Sequence, residues 1–156
     1  MDLFKQVVTD EDEIFTYFEV IRQLSPARIL DVGMMLKRMG AVSRQAMHCA
    51  VPESARLDGV DFYPEVELPI YQTIYNHIYI ATQLPDEFYN LSVCLGCTAQ
   101  QWIFSRQNLE YLFTHSSAIL LDAGAGTAVD YFKICCACQL LRSGERAFVL
   151  AYPKGA

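Results

Sequence analysis

Asp31 and Asp61 are the residues of this 156-residue chain whose setting could do chemistry. Each stands at the end of a short apolar run: Ala27-Arg28-Ile29-Leu30-Asp31-Val32-Gly33, then Leu57-Asp58-Gly59-Val60-Asp61-Phe62. A segment able to form a helix lies between them. A strand, a crossover helix and a parallel strand ending in an acid is how an α/β sheet builds half a nucleotide site. A carboxylate at the tip of a buried strand can accept hydrogen bonds from both ribose hydroxyls, each contributing roughly 1.5–3 kcal/mol when the acceptor is charged. The plainer reading of Asp61 is a loop-capping aspartate exposed at the sheet edge. Asp31 reads first as a stabiliser of the loop that follows it, acting through backbone N–H groups. Gly33 supplies a tight turn whether or not a ligand binds.

Other chemistry-bearing residues carry less. Two C-x-x-C pairs, Cys94/Cys97 and Cys135/Cys138, with Cys136 between the latter, have the donors for a tetrahedral zinc site. Cys94 falls inside an apolar strand, however, and the second pair falls in an expected helix beside Ile134, Ala137 and Leu140. Buried cysteine commonly acts as a small apolar side chain, so no metal is assigned. His48, His77 and His115 share no ligand spacing, and each reads as a surface or partly buried histidine. No Ser/His/Asp or Cys/His arrangement emerges, and no catalytic residue can be named.

The elements that must position Asp31 and Asp61 follow from periodicity and turn signals. Thr9 to Glu13 can cap and charge a helix whose apolar positions are Ile14, Phe15, Phe18, Ile21 and Leu24, ended by Ser25-Pro26. Strands are expected at residues 28–32, 57–62, 77–81, 91–95, 118–121 and 147–152. Helices are expected at 36–49, at 99–115 with Trp102, Leu109, Leu112 and Phe113 on one side, and at 127–142 with Gly144 just beyond its end. This alternation predicts an α/β fold: a Rossmann-like three-layer α/β/α sandwich around a mostly parallel sheet of about six strands. Residues 1–156 read as one domain, with 1–25 as an N-terminal helical extension.

Composition narrows the partners. Net charge is −6, with 53% hydrophobic and 19% charged residues. Without a Lys/Arg cluster, neither nucleic acid nor an anionic membrane surface is an expected partner. No run approaches the roughly 18 apolar residues that span a bilayer, and no signal-peptide pattern opens the chain. A cytoplasmic protein with reduced cysteines is expected.

In this order and spacing the runs resemble the class I, Rossmann-like S-adenosylmethionine-dependent methyltransferases. Ile29-Leu30-Asp31-Val32-Gly33 is similar to the family's first motif. Gly59-Val60-Asp61-Phe62-Tyr63-Pro64-Glu65 is similar to its second, whose strand-end acid holds the cofactor ribose. Phe88 to Gly96 is similar to its fourth strand, with Asn90 where an aspartate is usual, and Ser117 to Leu121 to its fifth. The resemblance implies S-adenosylmethionine as cofactor, held by Asp31, Gly33, Asp61 and Phe62, with Gly96, Cys97 and Thr98 lining the reacting side. It also implies a small-molecule methyl acceptor, approached by in-line displacement in which alignment supplies much of the catalysis.

The chain departs from the family pattern in three places. The usual glycine-rich loop is replaced by Met34-Met35-Leu36-Lys37-Arg38 after Gly33. The interval from Gly33 to Asp61 exceeds the roughly 20 residues usual in dinucleotide folds. One strand rather than two is expected beyond the fifth, leaving a sheet edge to be covered or open. A competing glycine loop, Asp122-Ala123-Gly124-Ala125-Gly126-Thr127, would require a permuted sheet with 147–152 as its second strand. These departures support an alternative: a non-catalytic relative whose pocket is filled by Met34, Met35 and Leu36. Its apolar helix around Ile134–Leu141 would then serve a homodimer or partner interface.

Overall fold

A computed structural model describes residues 11–33, 47–61, 73–95, 102–103, 105–124 and 127–154. The described elements are α1 (Glu11–Leu24), β1 (Arg28–Val32), a 3-10 turn (His48–Ala50), β2 (Arg56–Asp61), β3 (His77–Ile80), β4 (Tyr89–Cys94), α2 (Arg106–His115), β5 (Ser116–Asp122), α3 (Thr127–Cys135), β6 (Cys136–Ser143) and β7 (Arg146–Pro153). The strands form one seven-stranded sheet in the order β3-β2-β1-β4-β5-β7-β6. From β3 to β5 every pairing is parallel; β7 runs antiparallel to both β5 and β6.

Alternation along the strands divides the core between the two sheet faces. Ile29, Leu57, Leu91, Val93, Leu120, Phe148 and Leu150 pack with Tyr17, Val20 and Ile21 of α1. Leu30, Val32, Val60, Ile119, Leu121 and Val149 pack on the opposite face with Leu112 of α2 and Val129 and Phe132 of α3. The three layers expected from the sequence are present. α1 buries Tyr17, Val20 and Ile21 while Phe15 faces outward. It ends at Ser25, which adopts a left-handed φ of 43° and donates its N–H to the Ile21 carbonyl at 2.8 Å before Pro26 stops the helix.

Several expectations are corrected. The helix predicted over 127–142 stops at Cys135, and residues 136–143 instead form the edge strand β6. Pairing with β7, from Cys136↔Pro153 to Ser143↔Arg146, overrides a local sequence with no strong strand preference. Gly144 is therefore the first residue of a two-residue hairpin reversal, with φ 60° as a II′ turn requires, and not a helix cap. The sheet thus has seven strands, two of them beyond β5, and no apolar helix spans Ile134–Leu141. Because β7 is antiparallel to β5, the permuted register built on Gly124 and Gly126 is also excluded. Finally, the helix predicted from residue 99 has its regular part from Arg106, after an extended Ser105 (φ −80°, ψ 127°). Most of the helix expected over 36–49 lies outside the described residues.

Polar contacts lock α1 onto the β6–β7 hairpin. The Ser143 hydroxyl donates to Asp12 Oδ1 at 2.8 Å, and Arg146 bridges Glu13 (3.1 Å) and Asp122. Burial works against the Arg146 charge, but its hydrogen bonds to Asp122 and Glu13 outweigh this and raise its pKa. Arg146→Met keeps the aliphatic stem but takes the cationic partner away from two carboxylates. It is expected to cost about 1–3 kcal/mol in urea unfolding and to speed amide exchange at the start of α1; unchanged stability would deny the clamp.

Candidate functional site

In an open α/β sheet the ligand crevice lies at the carboxyl ends of the strands, where strand order reverses. Here the reversal is at β1, which has β2 on one side and β4 on the other. Asp31 stands beside Gly59 and Val93, and Val32 beside Val60. One step further the Gly33 N–H donates to the Val60 carbonyl at 2.8 Å. Gly33 has φ 72°, so the backbone leaves the line of β1 in a conformation that side chains disfavour. Asp61 closes β2 in the next position, buried, and its carbonyl accepts the Ala81 N–H at 2.8 Å.

A hollow of about 740 Å³ opens beyond the end of β3, lined by Ala81, Thr82, Leu84, Ser105, Asn108 and Tyr111 among others. It therefore begins at the residue hydrogen-bonded to Asp61. Its volume falls within the usual range for sites that take a small ligand, about 300–1,000 Å³. Burial raises the Tyr111 hydroxyl above its ordinary pKa, and Tyr111 donates to the Pro85 carbonyl at 2.7 Å. Phe62, Gly96, Cys97 and Thr98, as well as Met34, Met35 and Leu36, lie outside the described residues.

Asp31 points into the face covered by α1. Its Oδ2 accepts hydrogen bonds from the Tyr75 hydroxyl at 2.5 Å and from His48 Nε2 at 2.8 Å. A carboxylate only accepts, so Nε2 carries the proton. The Nδ1 of His48 is hydrogen-bonded to the Tyr17 hydroxyl at 2.9 Å. Tyr17 and Tyr75 meet the imidazole edge-on, with ring centroids 5.1 and 5.6 Å away. All four side chains are buried. Side-chain donors, rather than only the loop N–H groups expected from sequence, hold this acid.

Sequence reasoning missed this cluster. Residues 17, 31, 48 and 75 have no common spacing, and the only available signal was chemical: an aspartate on an apolar strand needs donors nearby. His48, read as a surface or partly buried residue, is one of those donors, and Tyr75 is another. His77 is exposed on β3, whereas His115 stacks on Tyr111 and reaches Asp86 at 3.1 Å.

A second buried acid, Asp58, lies toward the amino ends of the strands. It accepts from Arg56 Nε (3.1 Å to Oδ2) and from the Tyr89 hydroxyl at 2.7 Å. Burial and the Asp58 carboxylate hold the Tyr89 hydroxyl well above its usual pKa. The position suits a structural role, away from the crevice.

Among the described residues, no group of three or more His, Cys, Asp and Glu side chains could hold a metal. Cys94 is buried in β4, and Cys136 and Cys138 lie on β6 rather than in a helix.

The topology and layering define the fold of class I methyltransferases, and solved structures bear this out. The chain is similar to the O-methyltransferase TomG from Streptomyces achromogenes, involved in tomaymycin synthesis and solved with S-adenosylmethionine (TM-score 0.58, 11% identity, 92% of this chain and 80% of that one). It is likewise similar to an S-adenosylhomocysteine-bound methyltransferase of Podospora anserina (TM-score 0.57, 12% identity, 92% and 78%). The methyltransferase domain of bacterial CtHen1 aligns over 94% of this chain and 99% of that domain (TM-score 0.61, 8% identity). A scan of protein-family models and a search of curated proteins find no match.

Burial pushes the Cys136 thiol from 9.0 up to about 11. A raised folded-state pKa gives stability that is complete below the unfolded value and is lost as pH rises through the folded one. The urea midpoint is therefore expected to fall more between pH 9 and 11 in the unaltered protein than in Cys136→Ala. Parallel pH profiles would show that the thiol is not held neutral by the fold.

Proposed function

We propose that this protein binds S-adenosylmethionine at the carboxyl edge of β1, β2 and β4 and methylates a small-molecule acceptor. The observation that carries the reading is Asp61, a buried carboxylate at the tip of β2, directly beside the left-handed Gly33 at the strand-order reversal. These residues fit an adenosyl group: a carboxylate accepts hydrogen bonds from a ribose hydroxyl, and a glycine keeps a side chain out of the closest backbone approach. The bound sulfonium supplies an electrophilic methyl group. The chain's own part is to hold the ribose through Asp61 and to shape the approach through Gly33. On the same reading Phe62 would lie against the adenosyl group, and Gly96, Cys97 and Thr98 would face the acceptor. The solved neighbours that carry S-adenosylmethionine or S-adenosylhomocysteine support the choice of ligand.

We further propose a cytoplasmic setting, supported by thiols such as that of buried Cys136, which such a compartment keeps reduced. No helix among the described residues is long and apolar enough to cross a membrane. A homodimer is supported by exposed Tyr131 and Ile134 on α3 and exposed Leu140 on edge strand β6. Light scattering is expected to give twice the 17.7 kDa chain mass, with Ile134→Glu shifting it to the single-chain value. A single-chain mass for the unaltered protein removes the dimer.

Isothermal titration with S-adenosylhomocysteine tests the central claim. Binding is expected in the unaltered protein, with Asp61→Asn weakening it by about 1.5–3 kcal/mol without loss of fold. Absence of heat at millimolar ligand would end the reading, as would an Asp61→Asn protein that binds equally well.

A further inference from the structure

We propose that the Tyr17–His48–Asp31–Tyr75 cluster is a positioning device for the tip of β1, through which α1 sets the affinity of the adenosyl site. The inference rests on the proposed adenosyl reading for its ligand and on the hydrogen-bond geometry for everything else. Asp31 lies two residues before Gly33, the residue whose N–H fastens β1 to Val60 at the crevice. The other three members of the cluster come from separate parts of the chain. Tyr17 is on α1, His48 opens the 3-10 turn before β2, and Tyr75 precedes β3.

The arrangement suits holding rather than proton transfer. Both imidazole nitrogens of His48 are already engaged, one by Asp31 and one by Tyr17. No lone pair is left for a substrate proton. What the cluster does is tie the point where the chain returns after leaving β1, at Met47–His48, to the strand it left. It also fastens α1 to the same carboxylate. A buried carboxylate that loses a donor is poorly solvated, and a way to relieve this is for the end of β1 to shift toward water. Such a shift would carry Gly33 away from Val60 and Asp61. The four residues therefore act through Gly33 and Asp61 without touching the ligand.

The test compares Tyr17→Phe, His48→Ala and His48→Gln with Val20→Ala. Val20 is buried on the same helix and in the same apolar cluster but has no part in the polar chain. Two quantities are read at a temperature where every variant is folded: the Kd for S-adenosylhomocysteine and the hydrogen exchange of the Gly33 amide. Tyr17→Phe and His48→Ala are expected to raise Kd at least about tenfold, equivalent to about 1.4 kcal/mol, and to speed Gly33 exchange. Val20→Ala should do neither, and His48→Gln, which keeps an N–H donor for Asp31, should recover part of both. Unchanged Kd and exchange in Tyr17→Phe would overturn the proposal. So would a Val20→Ala response matching Tyr17→Phe, since the effect would then be general loss of stability. If the unaltered protein binds no S-adenosylhomocysteine while Tyr17→Phe alone frees the Gly33 amide, the ligand reading fails and the mechanical link stands.

Discussion

The parallel pairing of β1 with β2, closed by the Gly33 N–H on the Val60 carbonyl, is the contact on which the rest of the crevice depends. It brings the two acid-tipped runs side by side and sets Asp61 next to the point where the chain turns out of β1. Because β4 takes the other side of β1, the same turn falls where the strand order reverses. A shift of one residue in this register would send Ile29 and Leu30 to the wrong faces and mix the two halves of the core. Apolar packing on both faces thereby enforces the geometry at the strand tips.

The sheet interior also has to accommodate charge. Asp31 and Asp58 are both fully buried, and burying an ionised carboxylate is costly unless it is paired and hydrogen-bonded. Each is met by a phenol and a nitrogen donor: Tyr75 and His48 for Asp31, Tyr89 and Arg56 for Asp58. The two clusters serve different ends of the sheet. Asp58 helps tie the amino ends of β2 and β4, while Asp31 lies just below the crevice.

Much of the architecture was legible in the sequence because parallel strands covered on both faces must be apolar throughout. Leu30, Val60, Val93 and Leu120 announce such strands without ambiguity. The acids that interrupt these runs mark strand ends for the same reason. β6 was not legible. Cys136 to Ser143 have no alternation, since one strand edge and much of its surface face outward, and only the partner β7 makes them extended. The Ser-Gly reversal at 143–144 was the one local clue. At the site, Asp61 and Gly33 could be placed from pattern, but the donors to Asp31 could not. Tertiary proximity among residues 17, 31, 48 and 75 leaves no trace in spacing.

The place of β7 between β5 and β6 bears on how the sheet is completed. Phe148, Val149, Leu150 and Ala151 form an inner strand, yet they follow β6 in the chain. Among the described residues β6 pairs only with β7, so it has no place in the sheet until residues 146–153 are beside it. The Arg146–Glu13 contact that helps hold α1 likewise forms only once the hairpin is closed. Until residues 146–153 are in place the five parallel strands end at an open β5 border, the kind of edge that invites pairing with another chain.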